Sequence, residues 1–275
     1  MARNITSLGA KESDFLTSLA AKGKTIFTGR EVRELLGLSS TPKLLLSRLE
    51  RKGWVKRLER DRYLLVPLEA GPERLWSEDA TLVAMALAPE GALAYWSAIR
   101  HWGWTDQLPR TVFVQMMRRR ANSIVEALGV TYRFVTVRPI RFFGVIEERA
   151  DHRTFRVTDR EKTVIDILDR IDLSGGSGQV IQTLEEAVEE LRWDRLDGYL
   201  RRFRSRTVPK RLGFLVEALP LKVPDREHRL AEWQRLIGRG ISLLDPGGPA
   251  LGPIITRWRV RVNVHGLIPE SFTSL

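Results

Sequence analysis

Residues 28–66 read TGREVRELLGLSSTPKLLLSRLERKGWVKRLERDRYLLV, and this stretch decides the fold of the N-terminal part of the chain. Thr28-Gly29-Arg30-Glu31 has the S/T-x-x-E pattern of a capping box, which begins a helix, and Gly37 is suited to end it. Thr41-Pro42 then fits the N-cap and first position of another helix. Gly53 stops that helix just after Lys52. The stretch therefore predicts two helices joined by a short turn.

The flanking sequence adds a helix before this pair and a hairpin after it. Residues 13–22 carry apolar side chains at helical spacing, with Phe15, Leu16 and Leu19 on one face. Residues 54–58 and 62–66 are strand-like, and Glu59-Arg60-Asp61 forms a turn between them. Helix, helix, short turn, helix and hairpin is the order of a winged helix-turn-helix. That fold places its last helix in the major groove of DNA.

The third helix has an apolar face and a basic face. Leu45, Leu46 and Leu49 point to one side at 100° per residue, so they would pack on the other helices. Arginine on the opposite arc could fork onto guanine, and Leu44 could touch a thymine methyl group or simply cover the domain edge. The alternative is an amphipathic helix with a solvated charged face. The candidate DNA-contacting residues are Ser40, Thr41, Lys43, Leu44, Ser47, Arg48 and Arg51 at the helix, and Arg57, Arg60 and Arg62 on the hairpin.

The charge distribution supports nucleic acid as the partner. The chain has 275 residues and a net charge of +11, and residues 1–67 hold 14 Lys and Arg against 7 Asp and Glu. Cysteine is absent, which excludes disulfides, a cysteine nucleophile and cysteine-ligated metal. No apolar run approaches the roughly 18–20 residues of a membrane span, so we expect a cytoplasmic protein without membrane contact.

The remainder of the chain mixes strands and helices. We expect helices at 77–88 and 92–102, strands at 111–117, 130–137, 141–148 and 153–158, helices at 159–173, 179–192, 194–204, 209–219 and 226–237, and an antiparallel strand with a basic outer face at 257–264. The linker Pro67–Pro72 separates the two parts. The fold class is therefore α+β, with a winged helix-turn-helix domain at 1–70 and a larger mixed α+β domain at 71–275.

A second basic cluster lies at 195–211. Arg201, Arg202, Arg204 and Arg206 form its centre, and they are a possible second basic surface. These arginines could contact DNA phosphates or serve an antidote function. They could also pair with Glu185-Glu186 and Glu189-Glu190 on the neighbouring helix.

Residues with catalytic potential form no recognisable site in the sequence. His101, His152, His228 and His265 are far apart and show no metal-ligand spacing. Residues 174–178 are rich in Gly and Ser but lack the Lys-Ser/Thr of a phosphate-binding loop, so a loop between helices is expected. Asp159 and Glu161 would cap a helix, and Asp166 would orient a backbone group or an arginine. We expect no enzyme activity, no catalytic residues, no metal and no cofactor.

Three stretches carry a resemblance to a known family. They are AYWSAIRHWGW at 94–104 with Gln107-Leu108-Pro109 and the strand 112–114, VTDREKTVIDIL at 157–168 with Gly175-Gly176, and RLGFLVE at 211–217. In this order, behind a helix-turn-helix, they resemble the AbiEi family of antitoxin-type transcriptional regulators. The resemblance extends to about residue 220.

The resemblance implies a repressor that binds repeats in its own promoter, as double-stranded DNA, and opposes a nucleotidyltransferase-like toxin of an abortive-infection operon. A cognate toxin is a possible partner, although direct binding is not required. Two alternatives stay open at this point. One is a helix-turn-helix module fused to a nucleic-acid-processing enzyme domain, and the other is a solo transcription factor.

Overall fold

A computed structural model describes residues 8–37, 42–66, 79–150 and 153–264. The chain divides into two compact units: Met1–Pro89 with Ile124–Tyr132, and Glu90–Ser123 with Arg133–Leu275. Helices and several sheets make up both parts, so the predicted α+β class is confirmed. The sequence boundary near residue 70 lies between described segments, and the domain division 1–70 and 71–275 stays a prediction. Within the described residues, no helix is long and apolar enough to cross a membrane.

The first unit opens with three helices and a small antiparallel sheet. The helices are α1 (Ala10–Ala21), α2 (Gly29–Leu36) and α3 (Pro42–Arg51), and the strands are β1 (Ile26–Thr28), β2 (Val55–Glu59) and β3 (Arg62–Leu65). The strand order is β1-β3-β2, so the hairpin β2–β3 extends from a third strand. Helix α4 (Ala80–Leu87) and strand β6 (Ile124–Ala127) also belong to this unit.

Local sequence signals set the ends of α2. Thr28 and Glu31 form the reciprocal capping box, in which the Thr28 N–H donates to Glu31 Oε2 at 2.7 Å and the Glu31 N–H donates to Thr28 Oγ1 at 3.3 Å. Gly37 follows the helix with a φ of 74°, a left-handed conformation that favours glycine. The predicted boundaries of this helix are confirmed.

The N-terminal part departs from the sequence expectation in two places. Helix α1 begins at Ala10, one turn before residue 13, because the Glu12 carboxylate accepts a hydrogen bond from the Gly9 N–H at 3.0 Å and supports the earlier start. Strand β1 was not expected, since three residues are too few to show an alternation. Phe27 of β1 is buried and lies 5.6 Å from Phe15 of α1, ring centre to ring centre, in the core of these helices.

The second unit contains a mixed sheet and a helical layer. Its strands are β4 (Ala92–Leu93), β5 (Thr111–Met116), β7 (Val130–Thr136, whose first residues belong to the first unit), β8 (Val145–Ala150) and β9 (Arg153–Thr158), in the order β7-β5-β4-β9-β8. Strand β4 runs antiparallel to β5 and parallel to β9. The expected helix at 92–102 is therefore wrong at its start. Ala92 and Leu93 are buried in the sheet, and only α5 (Trp96–His101) is helical.

The helices of this unit follow the sheet along the chain. They are α6 (Arg160–Asp169), α7 (Gly176–Ala187), α8 (Trp193–Phe203), α9 (Val208–Ala218) and α10 (Arg226–Leu236). Their apolar faces form one core with the C-terminal segment, and Leu196, Leu212 and Trp258 are completely buried there. Residues 176–178 form the first turn of α7 rather than a loop, because Gly175 takes up the left-handed conformation just before it.

The C-terminal segment keeps the expected burial pattern but not the expected strand. Trp258, Val260 and Val262 are buried, and the arginines between them are more exposed. Only β12 (Val260–Arg261) is a strand, and it lies parallel to β10 (Ser242–Leu243) and antiparallel to β11 (Ile254–Ile255). Arg259 has a φ of 52°, which breaks the extended backbone before β12.

Candidate nucleic-acid interface

Helix α3 presents the predicted arc to solvent. Leu46 and Leu49 are buried against the other helices, and these two contacts fix the rotation of α3 about its axis. The opposite arc is exposed at every predicted position that the structure describes. These positions are Lys43, Leu44, Ser47, Arg48 and Arg51. Leu44 is 61% exposed, so its side chain is accessible to a partner.

The cations of this arc make no direct contact with an acceptor in the described part of the chain, although the charge of Arg48 helps to lower the pKa of the Glu12 carboxyl. Among the described residues, the side chains of Lys43, Arg48 and Arg51 have no ion pair or hydrogen bond. The N–H donors of these three side chains are therefore all available to an external acceptor. The arc can therefore contact phosphates or guanine edges without first breaking an internal interaction.

Lys52 belongs to the protein interior rather than to this arc. Its Nζ lies 2.6 Å from Glu12 Oε2, and the two side chains are only 16% and 8% exposed. Burial raises the pKa of the Glu12 carboxyl, but the hydrogen bonds from Lys52 and Gly9 and the nearby positive charges outweigh that effect, so its pKa is lowered. One of the basic residues in 40–62 is thus used to join α3 to α1.

The hairpin β2–β3 carries two exposed arginines at and beside its turn. Arg57 lies opposite Tyr63 in the sheet and donates from Nε to the Glu59 carbonyl at 3.3 Å. Arg60 is exposed in the turn itself, and no partner contacts its guanidinium within the described part of the chain. Asp61 holds the turn in place, because its Oδ1 accepts from the Gly29 N–H of α2 at 3.1 Å. The hairpin tip is therefore fixed relative to the helices.

Arg62 is less available than the other candidates. Its Nε lies 3.1 Å from Glu59 Oε1, and its Nη1 donates to the carbonyl of Ala86 in α4. The side chain is 29% exposed. Arg62 thus connects the hairpin to α4, and a contact to DNA would compete with these bonds. Ser40 and Thr41, the two remaining candidates, lie outside the described residues.

The second basic cluster separates into exposed and buried members. Arg201, Arg202, Arg204 and Arg206 are all exposed. Arg202 lies over the ring of Phe143 at 4.2 Å, and Arg204 follows α8 with a φ of 53°. The alternative that these arginines pair with Glu185, Glu186, Glu189 or Glu190 is not found within the described residues. Glu189 pairs with Lys222 and Glu190 with Arg160.

The buried members of the same cluster have structural partners. Arg211 is 4% exposed, and its Nε donates to the Leu243 carbonyl at 3.0 Å. Lys210 is 3% exposed and donates to the Gly240 carbonyl and, at 3.4 Å, to Ser242 Oγ. Burial lowers the pKa of Lys210, and the nearby Arg259 lowers it further. These two cations are therefore not part of an exposed track.

The carboxylates around α6 have structural partners. Asp159 caps α6 through the Lys162 N–H at 2.8 Å, and Glu161 accepts from the Arg192 N–H at 2.8 Å. Asp166 pairs with Lys162, and both side chains are almost completely buried. The prediction that Asp166 orients a backbone group or an arginine is therefore wrong, because its partner is a lysine. In the part of the chain that the structure describes, no cluster of three or more His, Asp and Glu could hold a metal ion.

The fold as a whole is similar to that of a solved protein. The crystal structure of the RV2827C protein from Mycobacterium tuberculosis superimposes with a TM-score of 0.60, at 14% sequence identity, over 92% of each chain. At this identity the likeness extends to the fold alone. No curated protein sequence matches the chain.

A family model matches the N-terminal segment. Residues 14–66 match the family described as "Transcriptional regulator, AbiEi antitoxin". The match extends from α1 through the β2–β3 hairpin, and it does not include the three stretches at 94–114, 157–176 and 211–217. The predicted resemblance to AbiEi-type regulators is thus confirmed for residues 14–66, the segment that contains helix α3 and the basic hairpin.

Proposed function

We propose that the chain is a DNA-binding transcriptional regulator that represses the promoter of its own toxin–antitoxin operon. The observation that carries this proposal is the exposed basic arc of α3, whose cations have no ion pair or hydrogen bond among the described residues. It lies within the segment that matches a family of transcriptional regulators. These cations are therefore available to an external anion such as a DNA phosphate.

The geometry suggests how the contacts divide. In a winged helix-turn-helix, α3 enters the major groove, where Arg48 and Arg51 fork onto guanine O6 and N7. The exposed Leu44 offers apolar contact to a thymine methyl group. Arg57 and Arg60 at the hairpin bind phosphates, which fix the register of the protein on the duplex without reading sequence.

The second part of the proposal concerns the toxin. As an antitoxin of AbiEi type, the chain would counteract a nucleotidyltransferase-like toxin in the cytoplasm, with or without a stable complex. The exposed cluster Arg201, Arg202, Arg204 and Arg206 is the surface we assign to an extended DNA contact or to the antidote function. A downstream toxin gene whose product inhibits growth only in the absence of this chain would support this part.

Titration of labelled promoter DNA tests the first part. The Arg48→Ala/Arg51→Ala double variant should lose roughly 1–3 kcal/mol of specific binding for each base contact removed. Both residues are exposed, so the melting temperature should not change. The matched control is Arg110→Ala/Lys222→Ala, which removes two exposed cations from the second unit. Equal promoter affinity of the two double variants would refute the assignment of α3.

A further inference from the structure

Four arginines contribute to the lining of an open cleft in the second unit. It has a volume of about 590 Å³ and lies between the end of α10 and the turn before β12. Its charged lining residues are Arg235, Arg239, Arg257 and Arg259. Two segments that lie about 20 positions apart in the sequence thus bring four guanidinium groups to one concave surface.

Carboxylates neutralise only half of these arginines. Arg235 pairs with Glu232, and Arg257 Nη1 lies 2.6 Å from Glu217 Oε1. Within residues 153–264, the guanidinium groups of Arg239 and Arg259 contact no carboxylate. The C-terminal end of α10 contributes about half a negative charge at this place. The two positive charges of Arg239 and Arg259 are larger, so the local charge stays positive.

Two further cations lie around the cleft. Lys210 is buried and donates to the carbonyl of Gly240, which directly follows Arg239. No carboxylate of the described residues contacts its ammonium group. Burial lowers the pKa of Lys210, and the nearby positive charge of Arg259 lowers it further. The side chain of Arg206 packs on Gly238 in the cleft wall, so closely that a Cβ there would lie 2.6 Å from Arg206 Cδ.

The backbone also holds Arg259 in an unfavourable conformation. Its φ of 52° lies in the left-handed region, where a residue with a side chain is strained and glycine is not. The Arg259 carbonyl accepts from the Ser242 N–H at 2.9 Å, and its own N–H donates to the Thr256 carbonyl at 3.3 Å. Strain of this kind at a charged concave surface is typical of a ligand site.

From this arrangement we propose that the cleft between α10 and β12 is a phosphate-binding site, in which Arg239 and Arg259 supply the primary contacts. Arginine is suited to phosphate because its planar fork donates two parallel hydrogen bonds to one group. A bound phosphate would neutralise the unpaired guanidinium groups and reduce the repulsion with Lys210. The site belongs to the second unit, and the α3 arc belongs to the first. Its phosphate comes either from a free phosphorylated compound or from a nucleic-acid backbone.

Calorimetric titration of the full chain with inorganic triphosphate tests the site. We expect saturable binding that weakens at least about tenfold in Arg239→Gln/Arg259→Gly, since each lost charged hydrogen bond reduces affinity substantially. Glycine at 259 suits the left-handed backbone, so this variant should fold. Arg239→Gln alone, at an exposed position, should weaken binding at least about threefold.

Controls separate the cleft from general charge. Arg110→Gln/Lys222→Gln removes the same net charge elsewhere in the second unit and should change the affinity less than about twofold. Arg48→Ala/Arg51→Ala should also bind triphosphate normally. Equal weakening in the cleft pair and the control pair, or binding that does not saturate, would overturn the proposal.

A competition experiment identifies the source of the phosphate. In the Arg48→Ala/Arg51→Ala background, a short duplex of unrelated sequence is added to the triphosphate-bound chain. Displacement of triphosphate assigns the cleft to a phosphodiester backbone, and retention assigns it to a free phosphorylated compound. Either result leaves the phosphate site itself in place.

Discussion

Lys52, the residue directly after α3, and Glu12 of α1 form an ion pair, with Nζ and Oε2 2.6 Å apart and both side chains largely buried. The pair joins the candidate recognition helix to the first helix across 40 residues of sequence. It also removes one cation from the basic surface. Charge counted along the sequence therefore overstates the charge that faces a ligand.

Acid should weaken the contribution of this pair. The pKa of Glu12 is lower in the folded chain than its ordinary value of 4.5, so its stabilising effect is complete above that pH and is lost as the pH falls through the lowered pKa. Glu12→Gln should cost about 1–3 kcal/mol of unfolding free energy at pH 7. The difference in unfolding free energy between the two proteins, measured by urea titration, should shrink as the pH falls below the ordinary value of 4.5 and through the lowered pKa. A difference that is constant over this range would contradict the lowered pKa.

The salt dependence of promoter binding should separate the exposed cations from Lys52. The slope of log K against log salt falls by about 0.9 for each phosphate neutralised. Arg60→Gln, in the hairpin turn, should make the slope shallower by about one unit. Lys52→Gln can keep a hydrogen bond to Glu12 and should leave the slope unchanged, because Lys52 faces the protein. If Lys52→Gln changed the slope as much as Arg60→Gln, the assignment of the hairpin would fail.

A glycine in the RLGFLVE stretch is required by packing. A Cβ at Gly213 of α9 would lie 2.2 Å from the ring of Trp258, which is completely buried. Gly213→Ala should therefore cost about 1–3 kcal/mol, since the ring has no space to move into. Gly198→Ala in the exposed middle of α8 is the control, because nothing lies within 4 Å of its Cβ. The control should raise stability by about 0.5–1 kcal/mol. Equal melting temperatures for both variants would refute this packing argument.

The parts of the fold that depend on local signals could be predicted from the sequence. The capping box at Thr28, the turn at Gly37 and the two faces of α3 all depend on neighbouring residues, and each agrees with the structure. Strand β4 could not be predicted, because Ala92 and Leu93 are strand residues only through their partners β5 and β9. An apolar run of this kind fits a buried helix equally well.

The positions of the charged residues were likewise predictable only where they depend on local sequence. The exposure of Arg48 and Arg51 follows from helical periodicity, since two buried leucines fix the helix. The buried state of Lys162 does not, because its environment comes from Phe143 and Phe203 as well as from Asp166. The i,i+4 spacing of Lys162 and Asp166 within an apolar helix was the one signal that could have suggested it. The arginine cleft joins segments from two elements, and no local pattern marks it.

Reversal of charge at Arg201 and Arg204 should reveal the role of the second basic surface. Both side chains are exposed, and within the described residues neither has a carboxylate partner, so Arg201→Glu/Arg204→Glu should remain folded. Lost repression with weaker promoter binding would assign the surface to DNA. Lost protection against the toxin with intact repression would assign it to the antidote function.

A charge-matched control variant and two assays distinguish these outcomes. Arg110→Glu/Lys222→Glu introduces the same change in net charge elsewhere in the second unit, and it should preserve both activities. Promoter titration and a growth assay with the toxin are carried out on each variant, after thermal denaturation has verified the fold. Glu189 and Glu190 bind other cations, and within the described residues neither Glu185 nor Glu186 forms an ion pair with the Arg201 cluster. A loss of activity would therefore reflect a lost external contact. If both activities persist in Arg201→Glu/Arg204→Glu, this surface has no part in either function.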